Sequence, residues 1–366
     1  MTVTLLNKSI KILLFVLLSF VLLYYGKPFL VPFLIASLLA MLLLPLCAWL
    51  EKRMNKTVAV LLSVALLLTI IGAVVYVISL QASNISENAP QIEKNVTEKL
   101  AGLRKFATET LGISAQKQQQ IVAEQQKSST GKLSAIISGI ITSFGGFLTN
   151  FLIVMVYIFL FLLFRSHLQK FVLQLVPADE KKAAQTIMHD IRLVSQKYLT
   201  GMAVMIACLW VMYGIGFSII GVKNAFLFAI LCGLLEIVPF VGNLTGVGLT
   251  LLMSLAQGGS TNLLTGILIT YAVVQFTQTY LLEPLVVGHQ ININPLFTIM
   301  GIVGGELLWG IAGMVLALPL LGIIKIICDR IEPLKPYGFL IGEEKKGEKK
   351  GPGKLKKMFG LSTGRK

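Results

Sequence analysis

Two acidic side chains stand where acid is expensive. Glu236 lies three residues before Pro239 and Glu306 three before Trp309, both within otherwise apolar runs. An ionisable side chain at the centre of a membrane helix costs at least about 2.5 kcal/mol. Each of these carboxylates therefore needs a partner, a proton or a cation. Glu236 adjoins Pro239-Phe240-Val241-Gly242-Asn243, which cannot continue a helix, and Glu306 adjoins Leu308-Trp309-Gly310, with Gly313 close behind. At such breaks backbone N–H and C=O groups lose their helical partners, and they persist at membrane depth only where they line a cavity or bind something. Gln275 and Gln278, at i and i+3, share a face with Tyr271. The candidate solute- or ion-binding set is thus Glu236, Asn243, Gln275, Gln278 and Glu306, with Pro239, Gly242, Gly310 and Gly313 shaping the breaks. Two readings stay open for the polar members: a solute-lining face, or hydrogen bonding between helices. Glu283, ending a span before Pro284, reads as structural.

These residues can bind a cation, exchange a proton or hydrogen-bond a polar solute. Bond-breaking chemistry has no matching pattern: there is no P-loop, no GxSxG elbow and no HExxH. His167, His189 and His289 are far apart and show no metal spacing, so neither a metal nor a cofactor is expected. Cys47, Cys208, Cys232 and Cys328 are scattered in or beside apolar runs and read as small core residues.

The elements that must carry the polar set follow from composition. The chain has 366 residues, 55% of them hydrophobic and 13% charged, against about 25% charged in a soluble domain. Much of its surface must face lipid, and the fold class is all-α, polytopic and membrane-embedded. Apolar runs at Ile12–Gly26, Phe29–Leu50, Thr57–Leu80, Leu133–Phe164, Leu199–Val222 and Leu263–Leu282 read as six spans, the fourth bent at Gly145-Gly146. No small-residue cleavage site follows the first run, so it is expected to be a retained span. Two further segments are broken. Ala225–Gln257 divides into arms of fourteen residues, Ala225–Val238 and Leu244–Gln257, and Pro295–Ile324 divides at Leu308-Trp309-Gly310 into equally short arms. A fourteen-residue helix reaches about 21 Å, short of the roughly 30 Å hydrocarbon core. Both segments therefore read as re-entrant hairpins, with full crossings at a thin site as the alternative. They echo each other, since Glu236 follows Asn224 by twelve residues and Glu306 follows Asn294 by twelve. Paired interrupted segments are the best sequence pointer to a transporter's site.

Charge sets the expected topology. Lys52, Arg53 and Lys56 favour a cytoplasmic second loop, which puts the N-terminus inside and the hairpins on opposite faces, to meet near mid-depth. The organisation read from the chain is three spans in 1–82, an extracytoplasmic amphipathic helical segment in 83–132, a fourth span and cytoplasmic linker helix in 133–198, a core with both hairpins in 199–328, and a basic cytoplasmic tail in 329–366. The net charge of +15 lies largely in that tail and in short loops beside apolar runs. Anionic lipid headgroups explain it without nucleic acid.

Several stretches together resemble the autoinducer-2 exporter family of bacterial membrane proteins. They are Tyr198-Leu-Thr-Gly201, Glu236-Ile-Val-Pro-Phe-Val-Gly-Asn243, Gln275 and Gln278, Leu282-Glu-Pro-Leu285, Asn294-Pro-Leu296, Gly304-Gly-Glu-Leu-Leu-Trp-Gly310 and Gly313-Met-Val-Leu-Ala-Leu-Pro319. The resemblance implies about eight membrane segments, a homo-oligomer in the bacterial cytoplasmic membrane and a secondary exporter or permease role. Within the family, some members resemble exporters of a furanosyl signal and others sodium(lithium)/proton antiporters. Many carry Asn at the position of Glu236. A carboxylate there, if ionised, favours cation or proton coupling. An envelope scaffold using residues 83–132 as its partner surface is the reading from another class.

Overall fold

The computed structural model of the protein describes residues 2–87, 149–239, 241–287 and 292–343. All the secondary structure described is helical, apart from one isolated antiparallel bridge between Ile293 and Gly342. The extracytoplasmic segment expected at 83–132, the Gly145-Gly146 bend and the tail beyond residue 343 fall almost wholly outside the described residues.

Three helices open the chain: α1 (Thr2–Tyr25), α2 (Lys27–Leu50) and α3 (Lys56–Glu87). Gly26 alone separates α1 from α2, and Pro28 occupies the first turn of α2, where its missing N–H costs nothing. Next comes α4 (Thr149–Gln174), then α5 (Lys181–Ile219), 39 residues long. The polar stretch 165–197, expected as a linker helix, is helical but not a separate element: it continues α4 to Gln174 and opens α5 at Lys181, with only residues 175–180 between them. Along α5 the buried residues Ser195, Tyr198, Gly201, Met205, Leu209, Tyr213 and Phe217 recur every three or four positions, one stripe of a helix.

After a tight link containing Gly221 and Asn224, both at positive φ, come α6 (Ala225–Leu235) and α7 (Val241–Ala256), the first hairpin. Helix α8 (Thr261–Thr277), capped by the Ser260 side chain, runs directly into a π-helix over Gln278–Val287. The second hairpin is α9 (Pro295–Trp309) and α10 (Ile311–Arg330), followed by a short helix α11 (Lys335–Ile341). The expectation of equally short arms fails for this hairpin. Its second arm has 20 residues and is long and apolar enough to cross a membrane, as are α2, α3, α4 and α5. The arms of the first hairpin, 11 and 16 residues, stay short of a crossing.

Three cores hold these helices. Ala36, Ala40, Ala59, Val60, Ile158 and Leu162 pack α2, α3 and α4 together. Leu209, Tyr213, Phe217, Phe228, Ala229, Ile267 and Val274 join α5, α6 and α8. Leu38, Trp309 and Leu316 seat the second hairpin against α2. At the α2–α3 turn, Arg165 of α4 clasps Glu51 with both guanidinium nitrogens, and the Lys56 ammonium donates to the Leu163 carbonyl. The Arg165 hydrogen bond holds the Glu51 carboxyl below the ordinary carboxylate range.

Candidate functional site

The first hairpin gathers four of the five polar residues singled out in the sequence. Helix α6 ends at Leu235, with Glu236 as its C-cap. Its last carbonyls are satisfied by tightening: Ile237 N–H donates to Leu234 and Val238 N–H to Leu235. Pro239 then stops the helix, and the chain reverses into α7 with Gly242 N–H donating to the Val238 carbonyl. Only glycine fits at 242, since a Cβ there would lie 1.6 Å from the Leu235 carbonyl oxygen. This close approach brings Glu236 and Asn243 to the same tip.

Helix α8 and the π-helix that continues it supply the opposing face. The Gln278 Nε2 donates to Glu236 Oε1 at 2.8 Å. The Asn243 Nδ2 donates to Gln275 Oε1, and Gln275 Nε2 donates to Thr279 Oγ1 at 3.5 Å. Gln278 is 2% exposed, while Glu236, Asn243 and Gln275 are half-buried. Two acceptors are left over: Asn243 Oδ1 and Gln278 Oε1 are buried with no hydrogen-bond partner among the described residues. A buried acceptor without a donor forfeits about 1–3 kcal/mol. The cluster is thus polar, partly accessible and short of donors.

Depth can be read along α5. Trp210 Nε1 donates to the Ile230 carbonyl at 3.1 Å, and a Cβ on Gly233 would meet both Trp210 and the Ile206 carbonyl. Ile220, at the end of α5, lies against Gly266 near the start of α8. From Ile220 to Ile206 is about 21 Å of helix, so the tip sits deep between helices, far from the hairpin's base.

Glu306 is not in this cluster. It is exposed on α9, and its backbone carbonyl accepts the Gly310 N–H at 2.7 Å. The second hairpin turns at Gly310, whose φ of 68° and ψ of −144° suit glycine alone. Its arms cross in backbone contact, for a Cβ on Gly313 would lie 1.9 Å from the Gly305 carbonyl oxygen. Gly310 therefore shapes the break, whereas Gly313 permits the crossing below it. The tip does not stop halfway. Trp309 Nε1 donates to the Leu23 carbonyl at 2.9 Å, and Lys27 lies against Gly310, so the tip docks on the α1–α2 turn. That docking corrects the expectation of two tips meeting near mid-depth. Besides the short helix α11, the main neighbours of α9 and α10 are α1, α2 and α5, and those of α6 and α7 are α5, α8 and α3. The two hairpins do open at opposite ends of α5. One follows its C-terminus, and the other returns to its N-terminal part, where Arg330 pairs with Asp190 at 2.6 Å.

Two features escaped sequence reasoning. Thr279 joins the amide chain, and its i+4 spacing from Gln275 was the available signal. The π-helix was not foreseen, although Pro284 marks it: a residue with no N–H interrupts the α-ladder and favours the wider turn. Tyr271, on the same stripe in sequence, packs against the α5–α8 core.

A model of the AI-2E family transporter matches residues 12–332. The chain belongs to that family. Relatives bearing the name "Putative transport protein" include YrrI of Bacillus subtilis, 24% identical over 292 residues, covering 78% of this chain and 81% of the relative. YueF of the same organism is 26% identical over 297 residues, covering 77% and 78%. YhhT of Escherichia coli K12 is 24% identical over 308 residues, covering 81% and 83%. As a member, this chain is a multi-pass membrane protein of a bacterial transporter family.

Proposed function

We propose that this AI-2E family member is a secondary transporter that carries a small polar solute, autoinducer-2-like or related, across the bacterial cytoplasmic membrane. Glu236, Asn243, Gln275 and Gln278 form its site, and Pro239 and Gly242 hold the break that exposes them. In this reading both termini are cytoplasmic, the chain works as a homo-oligomer, and the basic tail from Arg330 to Lys366 rests on anionic lipid. The carrying observation is the convergence of four polar side chains at the tip of a hairpin too short to cross the membrane. Two hydrogen bonds fasten the tip to α8 and the π-helix that continues it: Asn243 to Gln275, and Gln278 to Glu236. A solute with hydroxyl groups competes for these same partners. Binding then trades tip-to-α8 contacts for tip-to-solute contacts, which is how a ligand shifts a two-state equilibrium. Glu306, on the other hairpin, lies outside the site. The test is Glu236→Gln in proteoliposomes with candidate solutes under imposed ion gradients. Uptake should fall at least tenfold and lose its pH dependence. An unchanged rate with unchanged pH dependence removes Glu236 from the mechanism.

One observation favours a second reading, monovalent cation/proton antiport. With Gln278 Oε1 and Asn243 Oδ1 unpartnered beside the Glu236 carboxylate, the cluster offers oxygen acceptors and lacks donors. A sodium ion or a proton supplies what is missing. Growth of an antiporter-deficient, salt-sensitive strain discriminates: rescue that is lost in Glu236→Gln supports antiport, and no rescue at any salt or pH counts against it.

A further inference from the structure

A crevice of about 510 Å³ runs between α2, α3 and α4, away from the hairpin site. Val31, Ile35 and Leu39 of α2, Ile71 of α3 and Val154 of α4 line its depth. Lys27 and Asn150, each at the start of its described helix, stand at one end. The crevice is thus polarised along its length, with a cation at the mouth and hydrocarbon below. From Lys27 to Leu39 is about 18 Å of helix, comparable to the ~15 Å of hydrocarbon in one leaflet. An apolar void excludes water, and the fluid beside a membrane helix is acyl chain. The mouth has its own chemistry. The Lys27 ammonium supplies a full positive charge there, with the Asn150 amide at the same end, groups suited to an anionic headgroup.

We propose that this crevice is a lipid site, in which one acyl chain of an anionic phospholipid lies along α2 with its phosphate at Lys27. The site is independent of the transport reading. It also adjoins the second hairpin, because Lys27 lies against Gly310 at that hairpin's tip. A headgroup held by Lys27 touches both the α1–α2 turn and the hairpin docked on it.

The test uses the full-length protein, purified and exchanged into phosphatidylglycerol or phosphatidylcholine, with retained lipid counted by native mass spectrometry. The wild type should keep one phosphatidylglycerol per chain. Lys27→Gln should reduce the preference for phosphatidylglycerol over phosphatidylcholine about fivefold, the equivalent of ~1 kcal/mol for one lysine near an anionic headgroup. Ile35→Trp fills the crevice and should remove the retained lipid whatever its headgroup. Should that variant fold poorly, Leu39→Phe is the milder plug, with the unfolding midpoint as the check on folding. Arg53→Gln, beyond the other end of α2, should change nothing. Equal retention in wild type and plugged variants overturns the proposal, as does an undiminished headgroup preference in Lys27→Gln. It is overturned too if Ile35→Cys cross-links to a cysteine placed between 133 and 148 while no lipid is retained, since the chain itself then fills the crevice.

Discussion

Neighbouring glycines of the second hairpin differ sharply in what surrounds them. A Cβ on Gly304 meets nothing within 4 Å, while one on Gly305 would lie 2.4 Å from the Gly313 carbonyl oxygen. Gly305→Ala and Gly313→Ala should each destabilise the protein by about 1–3 kcal/mol, the cost of forcing atoms into a filled contact. Gly304→Ala should be neutral or slightly stabilising, because alanine favours helix by up to about 1 kcal/mol over glycine. Unfolding midpoints of the three variants in one detergent decide the matter. Glu51 is a second case where a single contact predicts behaviour. Its folded carboxyl titrates below its ordinary value of 4.5 because Arg165 binds the charged form. The contribution is therefore present above about 4.5 and is lost as pH falls through the lower folded value. Glu51→Gln should lower the unfolding midpoint at neutral pH, and the gap between variant and wild type should close on acidification. A gap that persists at low pH would show that the clasp stabilises by packing and not by charge.

At the scale of the element, the π-helix is the feature that positions the site. Gln278 opens it and Pro284 lies within it. Restoring an N–H with Pro284→Ala permits an ordinary α-helix there, which redirects the turn bearing Gln278 relative to Gln275. Transport should drop with little loss of folded protein, and amide hydrogen exchange over 278–287 should report the change of ladder. The first hairpin invites a complementary test. The Cβ built on Gly246 lies 3.4 Å from that of Cys232, close to the separation a disulfide requires. Oxidised Gly246→Cys should therefore link α6 to α7. If the hairpin moves as one body, transport survives the cross-link; loss of transport on oxidation, reversed by reductant, shows that the arms must part. Much of this was legible in the sequence. Proline, glycine and polar side chains inside apolar runs stand out, so both breaks and the amide stripe were visible. Helix ends were less so. Where α4 and α5 extend past their apolar runs, the polar continuation looks like a linker helix of its own, since hydropathy reports the membrane's edge and not the helix's end. The position of Glu306 was not legible, because it depends on a hydrogen bond from Trp309 to Leu23, across 286 positions of sequence.

On the scale of the whole molecule, the three cores differ in what they fasten. One binds α2, α3 and α4 to each other, with Glu51 and Arg165 clamping one end. Another binds α5, α6 and α8, enclosing the base of the first hairpin. The third moors the second hairpin to α2, and its tip is held at α1 by the Trp309 ring. The hairpins, alike in sequence, are therefore held unequally. The second docks by a buried indole and has its arms locked together by a backbone crossing, whereas the first is closed by amide contacts at a donor-poor polar cluster. Contacts of the first kind favour a fixed element, and those of the second are readily exchanged for a ligand. Removing one contact from each hairpin separates these roles. Trp309→Phe keeps an aromatic ring but deletes the hydrogen bond and part of the buried surface, so it should cost about 1–3 kcal/mol of stability and raise hydrogen exchange around Leu23–Leu30, with transport largely retained. Asn243→Ala should do the reverse, lowering transport severalfold with a smaller change in unfolding midpoint. If both variants lose transport in proportion to stability, the two hairpins move together and the division into a moored and a working hairpin is wrong.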